Sequence, residues 1–306
     1  MWFKNARVYC LTKDLKLSPE EIESKLASQE FHPCSSHDKS KIGWVSPLGR
    51  EGEMLTHVVA GYVMVCAQKQ ERLLPASVIK DATDEKVAEL EERQGRKIYR
   101  KERNQIKDDV YATMLPRAFT RNQLIFAYFS PKDKLLIVNT ASAPKAEELL
   151  NLLRESLGSL PVALPNVKIA PSDVMTRWLK KKKATDHFVI DEDCELYNPI
   201  DGSNIVRCKG QDLSSEEIAA HLEAGKQVKN LGVTWKSLLS CVIADDLTVK
   251  RLRFEGMNEE TANEEVESPE QKFDQEFAVM SLELTEFFES YFSAFGGLDA
   301  ETTREK

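Results

Sequence analysis

The residues that could do chemistry are concentrated, first of all, in a basic stretch between positions 93 and 107. Glu102 is the only acid among these fifteen residues, so the stretch carries a net charge of +6. Its seven basic residues are Arg93, Arg96, Lys97, Arg100, Lys101, Arg103 and Lys107. Cations at this density can bind phosphate oxygens and release counterions without reading base sequence. A solvated helix face is the other common outcome for a run of charges, and the sequence alone leaves both open.

The spacing of these cations suggests that many of them share a helix face. Four residues fall on one stripe at i, i+4, i+7 and i+11, namely Arg96, Arg100, Arg103 and Lys107. Lys97 and Lys101 flank the stripe, and Arg117 follows the same segment. We take these seven residues as the candidate DNA-binding residues.

A second basic group lies further along the chain, where Arg177 and Trp178 precede the run Lys180–Lys183. The lysines are either phosphate contacts or a solubilising loop. We expect Trp178 to lie in the core rather than to form a base-stacking platform.

An acidic cluster offers a competing chemistry. Asp191, Asp193 and Glu195 alternate along a predicted strand, so their side chains would share one face. Three carboxylates on one face could hold Mg²⁺ for nuclease chemistry. No lysine follows where metal-dependent nucleases place one, so a Mg²⁺-dependent nuclease is the alternative hypothesis.

Other catalytic or metal-binding signatures are missing from the sequence. His32, Cys34 and His37 lie close together, but they lack the second pair of ligands that a structural zinc site requires. The sequence contains neither a Gly-rich phosphate loop nor a Gly-x-Ser-x-Gly motif. We therefore expect a binding protein that has no cofactor and no metal, not an enzyme.

Composition sets the broad class. The chain has 306 residues, of which 42% are hydrophobic, and this excludes a disordered chain. Residues 255–276 hold nine acids and one lysine, so they account for the whole net charge of −8. The six cysteines are scattered, which is typical of reduced thiols. The sequence has no run of ~20 apolar residues and no signal-peptide pattern, so we expect a cytoplasmic protein that does not contact membranes.

The order of the predicted helices and strands, which would position these residues, indicates an α+β fold with mostly antiparallel sheets flanked by helices. Residues 77–115 form a bent helix or a helical hairpin, because Gly95 interrupts them, and their few apolar positions indicate an element that projects from the body. Predicted strands cover 2–12, 57–67, 123–129, 135–141, 187–197, 203–210, 234–244 and 247–254. Predicted helices begin at the capping residue Ser18, cover 144–157, follow a cap at Ser172, and cover 273–292.

These elements divide the chain into five parts: a body in two stretches, 1–76 and 116–170, the projecting element 77–115, a second half at 171–254, and an acidic loop with an amphipathic helix at 255–306. The Phe-rich helix 273–292 could dock a partner, which would make the protein an interaction scaffold. Packing of this helix onto its own body is the interpretation that we favour.

Several short motifs, taken in order, resemble the bacterial recombination-associated protein RdgC family. They are Trp2-Phe3-Lys4-Asn5, Gly43-Trp44-Val45-Ser46-Pro47, Leu55-Thr56-His57, Leu74-Pro75-Ala76-Ser77-Val78-Ile79-Lys80, Leu115-Pro116-Arg117-Ala118-Phe119, Ser156-Leu157-Gly158-Ser159-Leu160-Pro161 and Gln211-Asp212-Leu213. The resemblance implies a non-enzymatic, nucleoid-associated protein that binds DNA without sequence preference, with double-stranded DNA preferred over single-stranded DNA. It also implies a ring-shaped homodimer that encircles DNA, restrains RecA-mediated recombination and is linked to replication.

The resemblance further assigns two residues to a dimer contact. In the family the ring closes through two different contacts between subunits, and the phenylalanine of Pro-Arg-Ala-Phe and the loop before the capped helix, which correspond here to Phe119 and Gln211, lie at one of them. The family's loop often carries two lysines before the glutamine, whereas this chain has Lys209 and Gly210. One lysine is therefore missing, and any role at position 210 is not carried over.

Overall fold

A computed structural model describes residues 2–185, 187–255 and 268–299. Within this part of the chain, twelve strands form one sheet. They are β1 (Asn5–Leu11), β2 (Ser40–Val45), β3 (Thr56–Val59), β4 (Tyr62–Leu73), β5 (Phe119–Ser130), β6 (Leu135–Val138), β7 (Val162–Ala163), β8 (Phe188–Tyr197), β9 (Val206–Cys208), β10 (Gln227–Trp235), β11 (Leu239–Ala244) and β12 (Val249–Phe254). Seven α-helices accompany them: α1 (Pro19–Leu26), α2 (Ala76–Gln94), α3 (Arg100–Met114), α4 (Ala143–Leu157), α5 (Pro171–Lys181), α6 (Glu216–Glu223) and α7 (Pro269–Ala294).

Strand β1 joins the two halves of the sheet. The strand order is β2-β4-β5-β6-β1-β12-β11-β10-β8-β9, with β3 beside β4 and β7 beside β1. The pairings between these strands are antiparallel. The prediction of an α+β fold with mostly antiparallel sheet is thereby confirmed.

Helices cover both faces of the sheet, which explains the continuous apolar run in β4. Successive strand residues point to opposite faces. Met64 accordingly lies in a core cluster with residues of α5 and α7, whereas Val63 and Val65 lie in a second cluster with residues of α1 and α4. Both clusters exclude water from large apolar side chains, and this burial is the main stabilising contribution to the fold.

Helix α7 packs on its own body, as the sequence led us to favour. Six of its apolar and aromatic side chains are at most 1% exposed and belong to the same core cluster as residues of β8, β10 and β11: Phe277, Met280, Leu284, Phe287, Phe288 and Tyr291. These side chains are buried within this chain and cannot present themselves to a partner. Among the described helices, none is long and apolar enough to cross a membrane.

Three local predictions were wrong. Residues 57–67 form two strands instead of one, because Ala60 and Gly61 adopt positive φ angles of 52° and 85° and reverse the chain. Residues 234–244 contain a similar turn at Lys236 and Ser237, so β10 ends at Trp235 and begins earlier, at Gln227. The α5 N-cap is Ala170, with Pro171 following, and not Ser172. Most of the predicted acidic loop, residues 256–267, lies outside the described residues.

Candidate nucleic-acid interface

The basic stretch lies in a helical hairpin, the second of the two alternatives that the sequence allowed. Helix α2 ends at Gln94, Gly95 takes a left-handed conformation with φ of 64°, and α3 begins at Arg100. Helices α2 and α3 pack principally against each other. No residue of α3 is buried, and α2 buries only Ile79, Thr83 and Val87. The hairpin therefore presents most of its residues to solvent.

The hairpin is anchored to the sheet at the end of β4 and the beginning of β5. Strand β4 leads into α2, and α3 leads through a short 3₁₀ turn, Leu115–Arg117, into β5. The two strands pair in register from Val63 opposite Phe129 to Leu73 opposite Phe119. This continuous ladder fixes both ends of the hairpin at one place on the sheet.

Two glutamates brace the loop between the helices. Glu91 at the end of α2 accepts a hydrogen bond from the Ile98 backbone N–H at 2.8 Å and pairs with Lys97 at 3.2 Å. Glu102 in the first turn of α3 accepts from the Tyr99 N–H at 3.2 Å and from both terminal nitrogens of Arg96, at 2.9 and 2.6 Å. The loop is thus held from both helices by charge-assisted hydrogen bonds.

These contacts shift the pKa values of the residues that make them. The hydrogen bonds from Arg96 and from the Tyr99 backbone lower the pKa of Glu102 to about 2. The Ile98 backbone and the Lys97 ammonium lower the pKa of Glu91. Both carboxylates are therefore ionised at neutral pH, and Arg96 is held as a cation by Glu102, which raises its pKa.

The predicted stripe of cations is divided by these contacts. Arg96 and Lys97 lie in the loop before α3, so the prediction that Arg96 belongs to the helical stripe and that Lys97 flanks it was wrong. Arg103 lies on α3 but forms an ion pair with Asp84 of α2. These three cations already have carboxylate partners, so each can bind a phosphate only in competition with an acid of the hairpin.

Four of the candidate DNA-binding residues are exposed and have no ion-pair partner within the described chain: Arg100, Lys101, Lys107 and Arg117. Arg100 and Lys107 keep the i, i+7 spacing that places them on one side of α3. Lys101 neighbours Arg100, and Arg117 lies at the base of the hairpin. We define these four residues as the free cations of the hairpin.

Sequence reasoning missed Tyr99, an aromatic residue at the tip of the hairpin. Its side chain is 72% exposed, directly before the first residue of α3. The signal was present in the sequence, since a tyrosine lies between the basic pairs Arg96-Lys97 and Arg100-Lys101. Aromatic residues interleaved with cations are typical of surfaces that bind nucleic acids.

The two candidate dimer-contact residues, Phe119 and Gln211, lie far apart in the strand order. Phe119 is the first residue of β5 and is 85% exposed, opposite Leu73, which is 41% exposed. Gln211 follows the edge strand β9, and its side-chain amide donates to Glu217 at 2.9 Å. Gly210 adopts a φ of 61°, in the left-handed region that favours glycine.

The second basic run lies at the end of α5. Arg177 and Lys180–Lys183 are exposed. Trp178 is 5% exposed, with its ring stacked on Phe188 at 5.8 Å and on Phe295 at 6.1 Å. The placement of this tryptophan in the core is confirmed.

Two of the three acidic strand residues are engaged by separate cations. Asp193 pairs with Arg251 at 2.7 Å, and Glu195 pairs with Arg207 at 2.8 Å. Asp191 accepts from the Thr234 hydroxyl at 2.9 Å, and its burial raises its pKa. The β8–β10 pairing shifts register between Leu231 and Val233, where the Cβ atoms of Asp191 and Asp193 both lie beside Gly232.

Within the described residues, no group of three or more histidine, cysteine, aspartate or glutamate side chains is arranged to hold a metal ion. This includes the segment with His32, Cys34 and His37. There, Cys34 contacts Gln70 of β4 through its backbone N–H at 2.8 Å and its thiol at 3.4 Å, while His37 contacts the neighbouring Ser36.

The fold and this surface define an antiparallel α+β protein that carries a basic helical hairpin between two paired strands. A protein-family model described as "Putative exonuclease, RdgC" matches residues 1–298. The recombination-associated protein RdgC of Pseudomonas entomophila is 45% identical over 299 residues, which cover 97% of this chain and 98% of the relative. The proteins of the same name from Pseudomonas aeruginosa PAO1 and Aeromonas hydrophila are 44% and 41% identical, with the same coverage of each chain.

The chain therefore belongs to the RdgC family, and the resemblance drawn from the sequence motifs is confirmed. The names of the relatives describe a role associated with recombination and name no enzymatic activity. The description of the family, in contrast, mentions an exonuclease.

Proposed function

We propose that this protein binds DNA without sequence preference, prefers duplex DNA, encircles it as a dimeric ring, and thereby restrains RecA-mediated recombination. The observation that carries the proposal is the exposed helical hairpin with its free cations Arg100, Lys101, Lys107 and Arg117. Such side chains bind phosphates through charge alone and cannot distinguish one base pair from another.

The dimensions of the hairpin suit a phosphate backbone. Helix α3 has 15 residues and is therefore about 22 Å long. Duplex DNA carries one negative charge per ~1.7 Å of axis, so a duplex segment of this length carries on the order of 13 phosphate charges. The free cations can therefore find partners in many registers along the duplex.

The ring proposal is supported by the positions of its two candidate contact residues. A dimer with twofold symmetry uses the same surface patch of both subunits at each contact. Phe119 lies on a strand near one end of the strand order, and Gln211 follows the strand at the other end. Subunits that meet through residues so far apart in the strand order would enclose a central opening between them. The exposed Phe119 and Leu73 pair supplies an apolar surface for such a contact.

A closed ring would restrain recombination without touching the recombinase. A filament-forming protein such as RecA needs continuous access to the DNA backbone, and an encircling protein occupies that backbone. In this proposal the protein is nucleoid-associated in the cytoplasm, through DNA binding. We expect inhibition of RecA-promoted strand exchange to rise with the fraction of DNA bound and to vanish at salt concentrations that release the protein.

Fluorescence anisotropy with labelled duplexes of two unrelated sequences tests the DNA-binding proposal across a salt series. The four free cations predict a slope of log K against log salt of about −3.6 for each hairpin, whereas seven engaged cations would give about −6.3. Equal affinity for both sequences is expected. Absence of binding at low salt would refute the proposal.

The same samples test the nuclease alternative, which the description of the family keeps relevant. Each sample is incubated with and without Mg²⁺ and then run on a denaturing gel. We expect intact DNA, because Asp193 and Glu195 are engaged by Arg251 and Arg207. Cleavage that requires Mg²⁺ and disappears in Asp191→Asn would make the acidic strand the functional site instead.

A further inference from the structure

The tip of the hairpin combines an exposed aromatic ring with a fixed backbone. Tyr99 is 72% exposed, whereas the preceding Ile98 is half-buried. The backbone N–H groups of both residues are bound by carboxylates, Ile98 by Glu91 at 2.8 Å and Tyr99 by Glu102 at 3.2 Å. Because the backbone is held at both residues, the ring projects from an ordered platform.

Preorganisation of this kind favours binding. A ring on an ordered loop loses less conformational freedom on contact than a ring on a flexible loop does. The exposed position of Tyr99 leaves a large apolar surface in water, and nothing in the described part of the chain covers it. The structure thus keeps an aromatic ring available at the end of a basic arm.

The neighbouring charges indicate what the ring binds. Arg96 and Lys97 precede Tyr99, and Arg100 and Lys101 follow it. Aromatic side chains in a basic setting stack on nucleic-acid bases, while the cations hold the adjacent phosphates. In an intact duplex each base is already stacked on both faces, so an aromatic ring finds a free face only at unpaired nucleotides.

We propose that Tyr99 stacks on an unpaired base, so that the hairpin tip binds DNA at gaps and single-stranded segments in addition to the phosphate contacts of the duplex. This inference rests on the proposed DNA binding and extends it by naming a DNA structure that the tip recognises. Arg100 and Lys101 hold the phosphates beside the stacked base, and the braces from Glu91 and Glu102 keep the ring oriented.

Two labelled duplexes of equal length and sequence test the proposal, one intact and one with a short single-stranded gap. For Tyr99→Ala, affinity for the gapped DNA is expected to fall about 5- to 150-fold, the range for loss of one stacked base. Affinity for the intact duplex should change by less than about twofold, since phosphate contacts are unaffected. Tyr99→Phe keeps the ring and serves as the matched control, with wild-type affinity for both DNAs.

A second readout reports stacking directly. A fluorescent 2-aminopurine placed in the gap loses emission when a ring stacks on it. Wild type and Tyr99→Phe should quench this emission, whereas Tyr99→Ala should not.

Three results would overturn the inference. Equal affinity of wild type and Tyr99→Ala for the gapped DNA would show that the ring does not stack. A lower oligomeric mass of Tyr99→Ala by light scattering would assign the ring to a subunit contact instead. Failure of the wild-type protein to bind either DNA would refute both this inference and the proposed function, whereas the first result leaves the proposed function standing.

Discussion

Removal of two free cations from α3 should weaken DNA binding by an amount that can be worked out in advance. The double variant Arg100→Gln/Lys101→Gln removes two charges that have no carboxylate partner in the described chain. Glutamine is a good helix former, so α3 should persist. Because no hydrogen bond of the braced loop involves either side chain, the tip should keep its structure.

The magnitude follows from counterion release. Each phosphate contact contributes about 0.9 to the slope of log K against log salt, so the double variant should have a slope smaller in magnitude by about 1.8 for each hairpin that contacts the DNA. At ~0.15 M salt each contact is worth about 5- to 6-fold in affinity on the same relation, and the two contacts of one hairpin are worth about 30-fold. The assay is fluorescence anisotropy with a labelled duplex over a salt series.

The control removes the same charge from the other basic surface. Lys180→Gln/Lys181→Gln changes two exposed lysines at the end of α5, in a different part of the fold. This variant should lose less than about twofold in affinity, because a small change in net charge acts only through screened, long-range attraction. An unchanged slope for the α3 variant, or an equal loss for both variants, would refute the assignment of the hairpin as the DNA-binding surface.

Three further changes test the dimer, the braced tip and the core. Phe119→Ala should weaken a subunit contact by removing a side chain that is 85% exposed, and sedimentation at wild-type mass throughout a dilution series would contradict this. Arg96→Gln should raise the pKa of Glu102 from about 2 toward 4.5, as measured by ¹³C NMR of the carboxyl group; since the folded-state pKa is depressed, the stabilisation from Glu102 is complete above the unfolded value and lost as pH falls toward 2. Phe287→Ala should lower the free energy of unfolding by about 3–5 kcal/mol in urea titrations, whereas the exposed Leu282→Ala should change it by less than about 0.5 kcal/mol.

The elements with strong local signals were predictable from sequence. The Ser18 hydroxyl accepts from the Glu21 backbone N–H, and the Glu21 carboxylate accepts from the Ser18 backbone N–H, so the predicted capping box forms at the start of α1. Gly158 ends α4 in a left-handed conformation, again as expected of a glycine in that position. These signals act over a few residues and do not depend on the rest of the fold.

The missed turn between β10 and β11 lacks such a signal. Lys236 and Ser237 adopt φ angles of 47° and 56° between β10 and β11, although neither residue type favours that region. Tertiary packing imposes this conformation: Trp235 is fully buried before the turn and Leu239 is fully buried after it. The apolar pattern that suggested one strand from 234 to 244 was therefore produced by two strands in the same core.

In the candidate site, too, one feature was predictable from the sequence and another depends on tertiary packing. The sequence predicted where cations are concentrated, but it could not predict which of them are neutralised. Arg103 meets Asp84 across 19 positions of sequence, and this ion pair exists only because α2 packs on α3. A net charge summed along the chain therefore overstates the number of cations available to a phosphate backbone.

Glu91 and Glu102 reduce the number of hairpin cations that can bind phosphate, and they order the loop between the two helices. Exposed ion pairs contribute little to stability on their own, and Glu91 and Glu102 each occupy a cation that would otherwise be available to DNA. What distinguishes these two acids is that each also binds a backbone N–H of the loop, at Ile98 and Tyr99. Their contribution is therefore to fix the tip, which limits the entropy lost when the tip meets a ligand. A hairpin without them would carry more free charge and a less ordered Tyr99, so it would bind phosphate more strongly and lose the aromatic contact that separates gapped DNA from intact duplex.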